Sequence, residues 1–304
     1  MVRRCGASDG GTLGNGEMTE GAICQFHRFD AALGGEIVDL DLSRPLDDQT
    51  FAAVRRAFLE SEGLLVFRAQ YITPEQHVAL SRRFGPLMIH VLRQYLLPGH
   101  PEILRISNVV ENGEPIGLGD AGHIWHSDLS YTPEPSLGSL LHALELPMEG
   151  GDTSFANLSA AYDALPSEIK QRVEGKRAVH SYSHSYDRFR GSKWRPPLTQ
   201  DQRDDVCEVV HPVVRIHPET GRKALFVNES FTSHILDVPD AESRELLEFL
   251  FVHSTKPGFV YRHRWQDHDL VFWDNRCTIH VAHGCPPHLR RHLHRTTVKG
   301  DAPY

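Results

Sequence analysis

The stretch DLVFWDNRCTIH, residues 269–280, decides which fold this chain is expected to adopt. Its first part, Asp269–Trp273, is a short apolar run of the kind that forms a buried β-strand. The polar residues that follow are typical of a turn, and they place His280 at the strand end or in the turn after it. The stretch therefore predicts a sheet in which a side chain able to bind a metal lies beside a strand end.

Similar short runs recur along the chain and indicate a protein built mainly of β-strands. They are rich in Val, Leu, Ile and Phe, and Gly, Pro and Asp residues typical of turns separate them. The other predicted strands are Glu36–Leu40, Gly63–Phe67, Glu102–Ile106, Ser139–Leu146, Val209–Ile216, Lys223–Val227, Val260–Arg264 and His294–Val298. Scattered strands with a few peripheral helices favour an antiparallel sandwich or jelly roll.

Four peripheral helices are predicted. Asp48–Ser61 carries apolar residues at helical spacing. The tetrad Thr73-Pro74-Glu75-Gln76 starts a second helix, with Thr as N-cap and Pro as the first helical residue. Asp240–His253 is the third, and a shorter helix near Pro166–Glu174 ends at Gly175, a residue type common after helices.

Two further segments are expected to lack regular structure. Residues 1–22 are rich in Gly and predict a disordered leader, which leaves residues 23–304 as a single domain. Ser181–Pro197 is polar, aromatic and basic with little periodicity, and it reads as a long loop. Because long ordered loops often act as lids or binding surfaces, we expect an inserted, lid-like loop near residues 181–200; a plain surface loop is the alternative.

Composition and charge exclude several classes of function. The 304 residues carry a formal net charge of −8, which argues against general nucleic-acid binding. The five cysteines are widely spaced and include no CxxC pair, so a disulfide framework is not indicated and a reducing, cytoplasmic setting is expected. No run of about 18 apolar residues exists, and no membrane span is expected.

The tripeptide His126-Ser127-Asp128 is a His-X-carboxylate element. On an extended segment, residues i and i+2 point the same way, so this imidazole and carboxylate could bind one ion from one side. A second histidine from a remote strand, for which His280 is the candidate, would complete the two-histidine, one-carboxylate face of non-haem Fe(II) oxygenases. His123 does not share that face. The tripeptide alone is a weak signal, because such spacings arise by chance.

Two arginines, Arg291 and Arg295, follow His280 by 11 and 15 residues. An arginine pair is usually solvated surface. Here the pair leads into an apolar strand, so at least one guanidinium is expected to point inward. Arginine suits a buried carboxylate because its planar fork can bind both oxygens.

Taken together, these motifs resemble the taurine dioxygenase and 2,4-dichlorophenoxyacetate dioxygenase family of Fe(II)/2-oxoglutarate enzymes, over about residues 35–304. The resemblance implies a double-stranded β-helix (jelly roll, cupin-like) and a homo-oligomer, either a dimer or a tetramer. The motifs that carry it, in order and at the family's spacing, are Asp41–Leu46, Phe84–Leu87, Trp125–Asp128, Gly150–Thr153, His211–Arg215, Trp273–Arg276 and His294-Arg295.

The resemblance implies which residues hold the cofactors. His126, Asp128 and His280 would ligate Fe(II). Thr153, which lies 27 residues after the first ligand, would contact the cosubstrate 2-oxoglutarate. Arg291 would pair with the distal carboxylate of that cosubstrate.

The resemblance also implies a substrate pocket. Arg295 would hold the anionic group of the primary substrate, and His90 would be a second contact to it. Tyr186 and Phe231 fall where the family places aromatic pocket walls.

The chain departs from the family's taurine enzyme at three pocket positions. Arg93 stands where that enzyme has a tyrosine, Gly122 where it has an asparagine, and Tyr186 where it has a phenylalanine. These changes leave the expected iron and cosubstrate sites intact but disfavour taurine itself as the substrate.

The implied reaction is hydroxylation of a C–H bond of a small organic anion by O2, with succinate and CO2 as coproducts. Alkylsulfonates, alkyl sulfates and aryloxyalkanoates would all fit. Two alternatives remain open from the residues: a non-oxidative metal-binding β-barrel, such as a sensor or a degenerate homologue, and a zinc hydrolase. Consumption of 2-oxoglutarate separates both from the oxygenase.

Overall fold

The strands and helices are taken from a computed structural model that describes residues 24–188, 192, 194, 197–204 and 206–304. In chain order, the strands are β1 Gln25–Arg28, β2 Gly35–Val38, β3 Leu64–Phe67, β4 Leu96–Leu97, β5 His100–Ser107, β6 Val110–Glu111, β7 Glu114–Pro115, β8 Ser136–Glu145, β9 Thr153–Asn157, β10 Arg177–His180, β11 Val209–Pro212, β12 Val214–Ile216, β13 Lys223–Leu225, β14 Thr232–Ile235, β15 Val260–His263, β16 Leu270–Asp274, β17 Thr278–Ala282 and β18 His292–Lys299. The α-helices are α1 Asp48–Glu60, α2 Pro74–Arg82, α3 Leu158–Asp163, α4 Ser167–Val173, α5 Tyr182–Arg188, α6 Gln200–Asp204 and α7 Asp240–Ser254.

An eight-stranded sheet in the order β1-β2-β3-β16-β8-β18-β5-β4 forms the main layer. Its pairs are antiparallel except for β2 and β3, which run parallel. A three-stranded sheet, β15-β9-β17, carries the end of the opening stretch, and the described residues form three further small sheets, β11-β10-β14, β12-β13 and β6-β7. The chain is therefore mostly β-sheet with a few helices, as the sequence predicted.

Strand β16 shows why its sequence is apolar without a break. Phe272 faces α1 and stacks on Phe58, with ring centroids 3.9 Å apart. Val271 and Trp273 face the other side, and there Trp273 packs against Phe155 of β9 with ring centroids 5.5 Å apart. Because successive side chains of a strand point to opposite faces, a strand covered on both faces needs apolar residues at every position.

The predicted strands are present with small shifts at their ends, and one is divided. The run Val209–Ile216 forms β11 and β12, which lie in different sheets. Pro212 ends the first of them and has no backbone N–H to donate to a ladder. Strands β9 and β17 were missed, because five-residue segments with small polar residues give no clear apolar run. His280 consequently lies inside β17 rather than at a strand end or in a turn.

The four predicted helices are confirmed as α1, α2, α4 and α7. Thr73 and Gln76 form a reciprocal capping box at the start of α2: the Gln76 N–H donates to the Thr73 hydroxyl at 3.3 Å, and the Thr73 N–H donates to the Gln76 side chain at 2.7 Å. Such a box satisfies two N–H groups that the helix leaves unpaired.

The prediction of a continuous loop from Ser181 is wrong for Tyr182–Arg188, which forms helix α5. Tyr182, Ser185 and Tyr186 are buried, and they lie at positions i, i+3 and i+4 on one helix face. Tyrosine and serine are not counted as strongly apolar, so the pattern of apolar residues did not predict this helix. Residues 189–191, 193 and 195–196 of the expected lid, and the predicted leader, lie outside the described residues.

Helix lengths bear on membrane insertion. The longest helix, α7, has 15 residues. Among the residues that the structure describes, no helix is both long and apolar enough to cross a bilayer.

Three histidines are buried where α2 packs against the main sheet. The ring of His77, on α2, lies 6.1 Å from the ring of His142 on β8, and His142 pairs in register with His294 of β18. Burial, reinforced by neighbouring imidazoles, lowers the pKa of His77 to about 3 and that of His294 to about 3. Near neutral pH the folded protein therefore keeps both rings uncharged.

Acid should destabilise the protein through these rings. In the unfolded chain a histidine has a pKa of about 6.5, so the stabilising contribution is complete above that pH and is lost as the pH falls toward the lower folded pKa. The free energy of unfolding should therefore fall by about 1 kcal/mol for each ring and each pH unit over that range. Urea unfolding at pH 7, 6 and 5 should show a shallower loss for His77→Phe than for the wild type. The same substitution at the exposed His27 should not change the slope, and parallel curves for His77→Phe and the wild type would contradict the assignment.

Candidate metal centre

Backbone pairing brings the two candidate histidines together. The His126 N–H donates to the His280 carbonyl oxygen at 3.1 Å, and the His280 N–H donates to the His126 carbonyl oxygen at 2.8 Å. The two imidazole rings then lie with centroids 4.1 Å apart. A short antiparallel bridge thus closes a separation of more than 150 residues in sequence.

Asp128 completes the predicted group of three. One ligand atom from each of His126, Asp128 and His280 lies within 4.8 Å of the others. The His126 Nε2 is 3.7 Å from the Asp128 Oδ1, and the His280 Nε2 is 3.9 Å from the Asp128 Oδ2. All three side chains are buried. Two imidazoles and one carboxylate on one side of an ion leave positions open for other ligands, which suits Fe(II) in an oxygen-activating site.

The two histidines are present in the form that binds metals. The His126 Nδ1–H donates to the Ile124 carbonyl oxygen at 2.9 Å, which leaves Nε2 unprotonated and facing Asp128. Burial lowers the pKa of His126 and lowers that of His280 well below the ordinary value. Neutral imidazole is the form that binds metal ions, so both rings are in the protonation state that metal binding requires.

The Asp128 carboxylate is held at both oxygens. A terminal N–H of Arg295 donates to Oδ1 at 2.6 Å, and the Ser139 hydroxyl donates to Oδ2 at 2.7 Å. Burial alone would raise the pKa of Asp128, but the positive charge of Arg295 and the other donors hold it well below its ordinary value. The carboxylate is therefore ionised in its buried position.

A pocket opens beside the three ligands. His90, Arg295 and Phe231, all predicted to contact the substrate, line this pocket together with Tyr131 and Tyr182. The Phe231 ring stands edge-on to the His126 ring, with centroids 6.1 Å apart. Arg295 thus reaches the pocket while it pairs with Asp128, and its Nε has no hydrogen-bond partner among the described residues.

The wall formed by helix α5 differs from the prediction. Tyr182 and Ser185 line the pocket, whereas Tyr186 is not among its lining residues in the described part of the chain. Tyr186 packs against Tyr182, with ring centroids 5.5 Å apart. Sequence reasoning missed Tyr182 because it read this segment as a loop, and the helical i, i+3, i+4 spacing was the signal that could have found it.

A second cavity of about 320 Å³ adjoins the first. Arg291 lines it and is 8% exposed. Its Nε has no hydrogen-bond partner, and no carboxylate of the described residues forms an ion pair with it. Burial lowers the pKa of Arg291 to about 10, so the side chain remains a cation at neutral pH.

Thr153 lies on the strand next to this cavity. It pairs in register with Ala282, which lines the cavity. The Thr153 hydroxyl oxygen accepts the Trp265 indole N–H at 3.0 Å, which leaves the hydroxyl proton able to donate to a ligand. His123 lines both cavities but is not part of the ligand group, as its position in the sequence indicated.

A second group of metal-ligand residue types, His217, Asp274 and Cys277, also lies within 4.8 Å. Its carboxylate is already occupied: Arg276 donates to Oδ1 at 2.8 Å and to Oδ2 at 2.6 Å, and the His217 Nε2–H donates to Oδ2 at 3.1 Å. Burial raises the pKa of the Cys277 thiol well above its ordinary value, so no thiolate is offered. This group is therefore a buried ion-pair network.

Comparison with known proteins decides the family. A family model described as "Taurine catabolism dioxygenase TauD, TfdA family" matches residues 25–297. The chain belongs to this family. It is 36% identical over 277 residues to the alpha-ketoglutarate-dependent 2,4-dichlorophenoxyacetate dioxygenase of Cupriavidus pinatubonensis, covering 88% of this chain and 94% of that one. It is 34% identical to the pentalenolactone F synthase of Streptomyces arenae, covering 81% and 85%.

A solved structure supports the same relationship. The crystal structure of AAD-2 in complex with Mn(II) and N-oxalylglycine superposes with a TM-score of 0.77 at 33% identity, covering 92% of this chain and 98% of that one. The chain is thus an Fe(II)- and 2-oxoglutarate-dependent dioxygenase, an oxidoreductase. The donor set of two neutral imidazoles and one ionised carboxylate fits Fe(II), and it is the family, rather than the donor set, that argues against a non-oxidative barrel or a zinc hydrolase.

Replacing His280 with Ala should abolish metal binding. Even residues that only contact a ligand change metal affinity by about 10- to 100-fold, so loss of a ligand should weaken Mn(II) binding by more than about 100-fold. Calorimetric titration of the apoprotein measures this, with Mn(II) as an air-stable substitute for Fe(II). His283→Ala is the matched control, since His283 is exposed and contacts the Ser154 hydroxyl instead. Unchanged affinity in His280→Ala would show that the ion binds elsewhere.

Proposed function

We propose that this dioxygenase hydroxylates a C–H bond of a small organic anion that carries an aromatic ring, of the aryloxyalkanoate type. His126, Asp128 and His280 hold Fe(II), and Arg291 with Thr153 holds 2-oxoglutarate. Arg295 and His90 face the anionic group of the substrate. The observation that carries the proposal is the unpaired, buried cation of Arg291 beside a three-ligand metal site.

The environment of Arg291 favours a bound carboxylate. An isolated buried charge is costly unless it is paired and hydrogen-bonded, and this guanidinium has no carboxylate partner within the described chain. The planar guanidinium binds both oxygens of a carboxylate at once. The distal carboxylate of 2-oxoglutarate supplies such a group, and the cavity of about 320 Å³ has room for a five-carbon diacid.

The pocket beside the ligands combines positive charge with aromatic walls. The ring centroid of Tyr131 lies 4.6 Å from that of Tyr182 and 4.9 Å from that of Phe231. Such a cluster offers both ring edges and ring faces to an aromatic guest. Arg295 supplies a donor for an anionic group at the metal end of the pocket. The relative that is 36% identical is named for 2,4-dichlorophenoxyacetate, a molecule with both features.

Gly122 supports the departure from taurine. It lines the pocket, its φ is 73°, and a Cβ built on it would lie 3.0 Å from the His126 ring. An asparagine tolerates such a φ better than most residues, but its Cβ would crowd the His126 ring, which would have to shift to admit it. The amide contact that a substrate amine would need is absent from this wall.

The chain's part in the reaction is to bind, orient and exclude water. Bound Fe(II) and 2-oxoglutarate supply the oxidising chemistry, with succinate and CO2 as coproducts. Arg291 fixes the far end of the cosubstrate, and Arg295 fixes the substrate so that one carbon faces the metal. If the hydroxylated carbon bears an aryloxy oxygen, the C–O bond breaks, the new hydroxyl loses its proton to form a carbonyl, and a phenol leaves.

A substrate panel tests the proposal. Aryloxyalkanoates, alkylsulfonates and alkyl sulfates would be assayed for succinate release and product mass, and we expect aryloxyalkanoates to give the highest kcat/KM, with phenol release. Tyr182→Ala should lower that value by about tenfold for aryl substrates, since an aromatic pair contributes about 0.5–1.5 kcal/mol beyond burial, and should change alkyl substrates less. A preference for alkyl anions would overturn the substrate class.

Arg291→Met should raise the KM for 2-oxoglutarate by about 100-fold or more, because truncating one partner of a buried charge pair costs about 2–5 kcal/mol. Arg291→Lys keeps the positive charge but lacks the planar guanidinium, so its KM for 2-oxoglutarate should lie between that of the wild type and that of Arg291→Met. Arg290→Met is the control, since Arg290 is exposed and pairs with Glu145. A KM for 2-oxoglutarate within twofold of the wild type in Arg291→Met would show that the cosubstrate binds elsewhere.

Some finer features of the fold and setting belong to the same proposal. A double-stranded β-helix is supported by the large and small antiparallel sheets and by the superposition on relatives. A cytoplasmic setting is supported by four free cysteines among the described residues. A homo-oligomer, dimer or tetramer, follows from the resemblance alone, and a lid near residues 181–200 follows from the composition of that segment.

A further inference from the structure

We propose that Asn275 is a positioning residue that fixes the metal ligand Asp128 at three points and braces His280 through Trp273. Asn275 does not contact the ion site itself. It lies at the turn between β16 and β17, the part of the opening stretch to which no role in the reaction has been given. The inference rests on the proposed role of Asp128 as an iron ligand.

The amide oxygen of Asn275 holds the first point. It accepts the backbone N–H of Asp128 at 3.0 Å and the indole N–H of Trp273 at 3.1 Å. Both partners can only donate, so the oxygen of the amide must face them and its NH2 must face the other way. The Trp273 ring packs on the His280 ring, with centroids 4.6 Å apart. One amide oxygen therefore contacts both the backbone of Asp128 and the tryptophan that packs on His280.

The amide NH2 of Asn275 holds the other two points through serines of β8. It donates to the Ser136 hydroxyl at 2.7 Å and to the Ser139 hydroxyl at 3.3 Å. Ser136 donates to the Asp128 carbonyl oxygen at 3.0 Å, and Ser139 donates to the Asp128 Oδ2 at 2.7 Å. A hydroxyl has one proton, so an N–H arriving at its oxygen leaves that proton directed at Asp128.

The position of Asn275 is itself fixed. The residue is 1% exposed, its N–H donates to the Leu137 carbonyl oxygen at 2.8 Å, and its carbonyl oxygen accepts the Ser127 hydroxyl at 2.8 Å. Three segments of the chain, residues 127–128, β8 and the turn after β16, thus meet at one side chain. A shift of the turn would move the carboxylate of the ligand.

Only an amide satisfies all these partners. An aspartate at 275 would still accept from Asp128 and Trp273, but its second oxygen would draw the protons of Ser136 and Ser139 away from the ligand. It would also bring a second negative charge beside the Asp128 carboxylate. An alanine would leave two buried N–H groups unpaired. Partners of this kind are worth about 10- to 100-fold in metal affinity.

The test is metal binding to the full-length apoprotein. Asn275→Ala and Asn275→Asp should bind Mn(II) about 10- to 100-fold more weakly than the wild type. Their Co(II) complexes should show a changed visible spectrum, which reports ligand geometry, and at saturating metal the KM for 2-oxoglutarate should move less than the metal affinity. Asn157→Ala is the matched control: Asn157 is also 1% exposed and fully bonded, but it caps α3 and pairs with Glu62.

Ser139→Ala keeps the proposal testable if the Asn275 variants do not fold. It removes one oxygen atom and one bond to Asp128, so Mn(II) affinity should fall in the same direction by a smaller factor. Ser81→Ala, at another buried serine, is its control. Affinity within twofold of the wild type in Ser139→Ala and in every folded Asn275 variant would overturn the inference. Unchanged affinity in Asp128→Ala would instead overturn the proposed metal site, so the two failures are distinguishable.

Discussion

The buried negative charge of Asp128 is the constraint on which the rest of the site depends. The side chain belongs to a residue that is 3% exposed, and an isolated carboxylate in such a place would cost several kcal/mol. Two strands supply what offsets this cost: β8 brings Ser139 and β18 brings Arg295. The pairing of β8 with β18 thus also brings together the groups that hold this carboxylate.

Two arginines four residues apart in sequence line the two cavities of the site. Arg291 precedes β18 and Arg295 lies within it. Residues four apart along an extended segment lie on the same face and about 13 Å apart. One guanidinium pairs with Asp128, and the other has no protein carboxylate among the described residues. The spacing therefore suits the two anions proposed to bind at this site.

The sequence was a good guide where chemistry and local pattern agree. His126, Asp128 and His280 lie together as predicted, and Thr153, Arg291, His90, Arg295 and Phe231 lie around them. Their roles as ligands and binding residues stay predictions until they are tested. The apolar runs predicted the central strands β3 and β16 of the main sheet, because both are buried at every position and are almost wholly apolar.

What the sequence did not show depends on pairing between remote segments. Strands β9 and β17 are short and partly polar, and they are held as strands by the ladder between them. Helix α5 is stabilised by a face of tyrosine and serine that a count of apolar residues overlooks. Ser139 is one of two serines in a largely apolar strand, and only the folded register shows that its hydroxyl reaches Asp128. The residues around Ser139 in sequence do not predict this contact.

The central claim is that one site holds Fe(II) on three side chains and 2-oxoglutarate on the same ion. Anaerobic titration of 2-oxoglutarate into the Fe(II)-loaded protein tests it most directly. The claim predicts a weak visible metal-to-ligand charge-transfer band that saturates at one 2-oxoglutarate per chain. The absence of any such band from metal-loaded protein would contradict it.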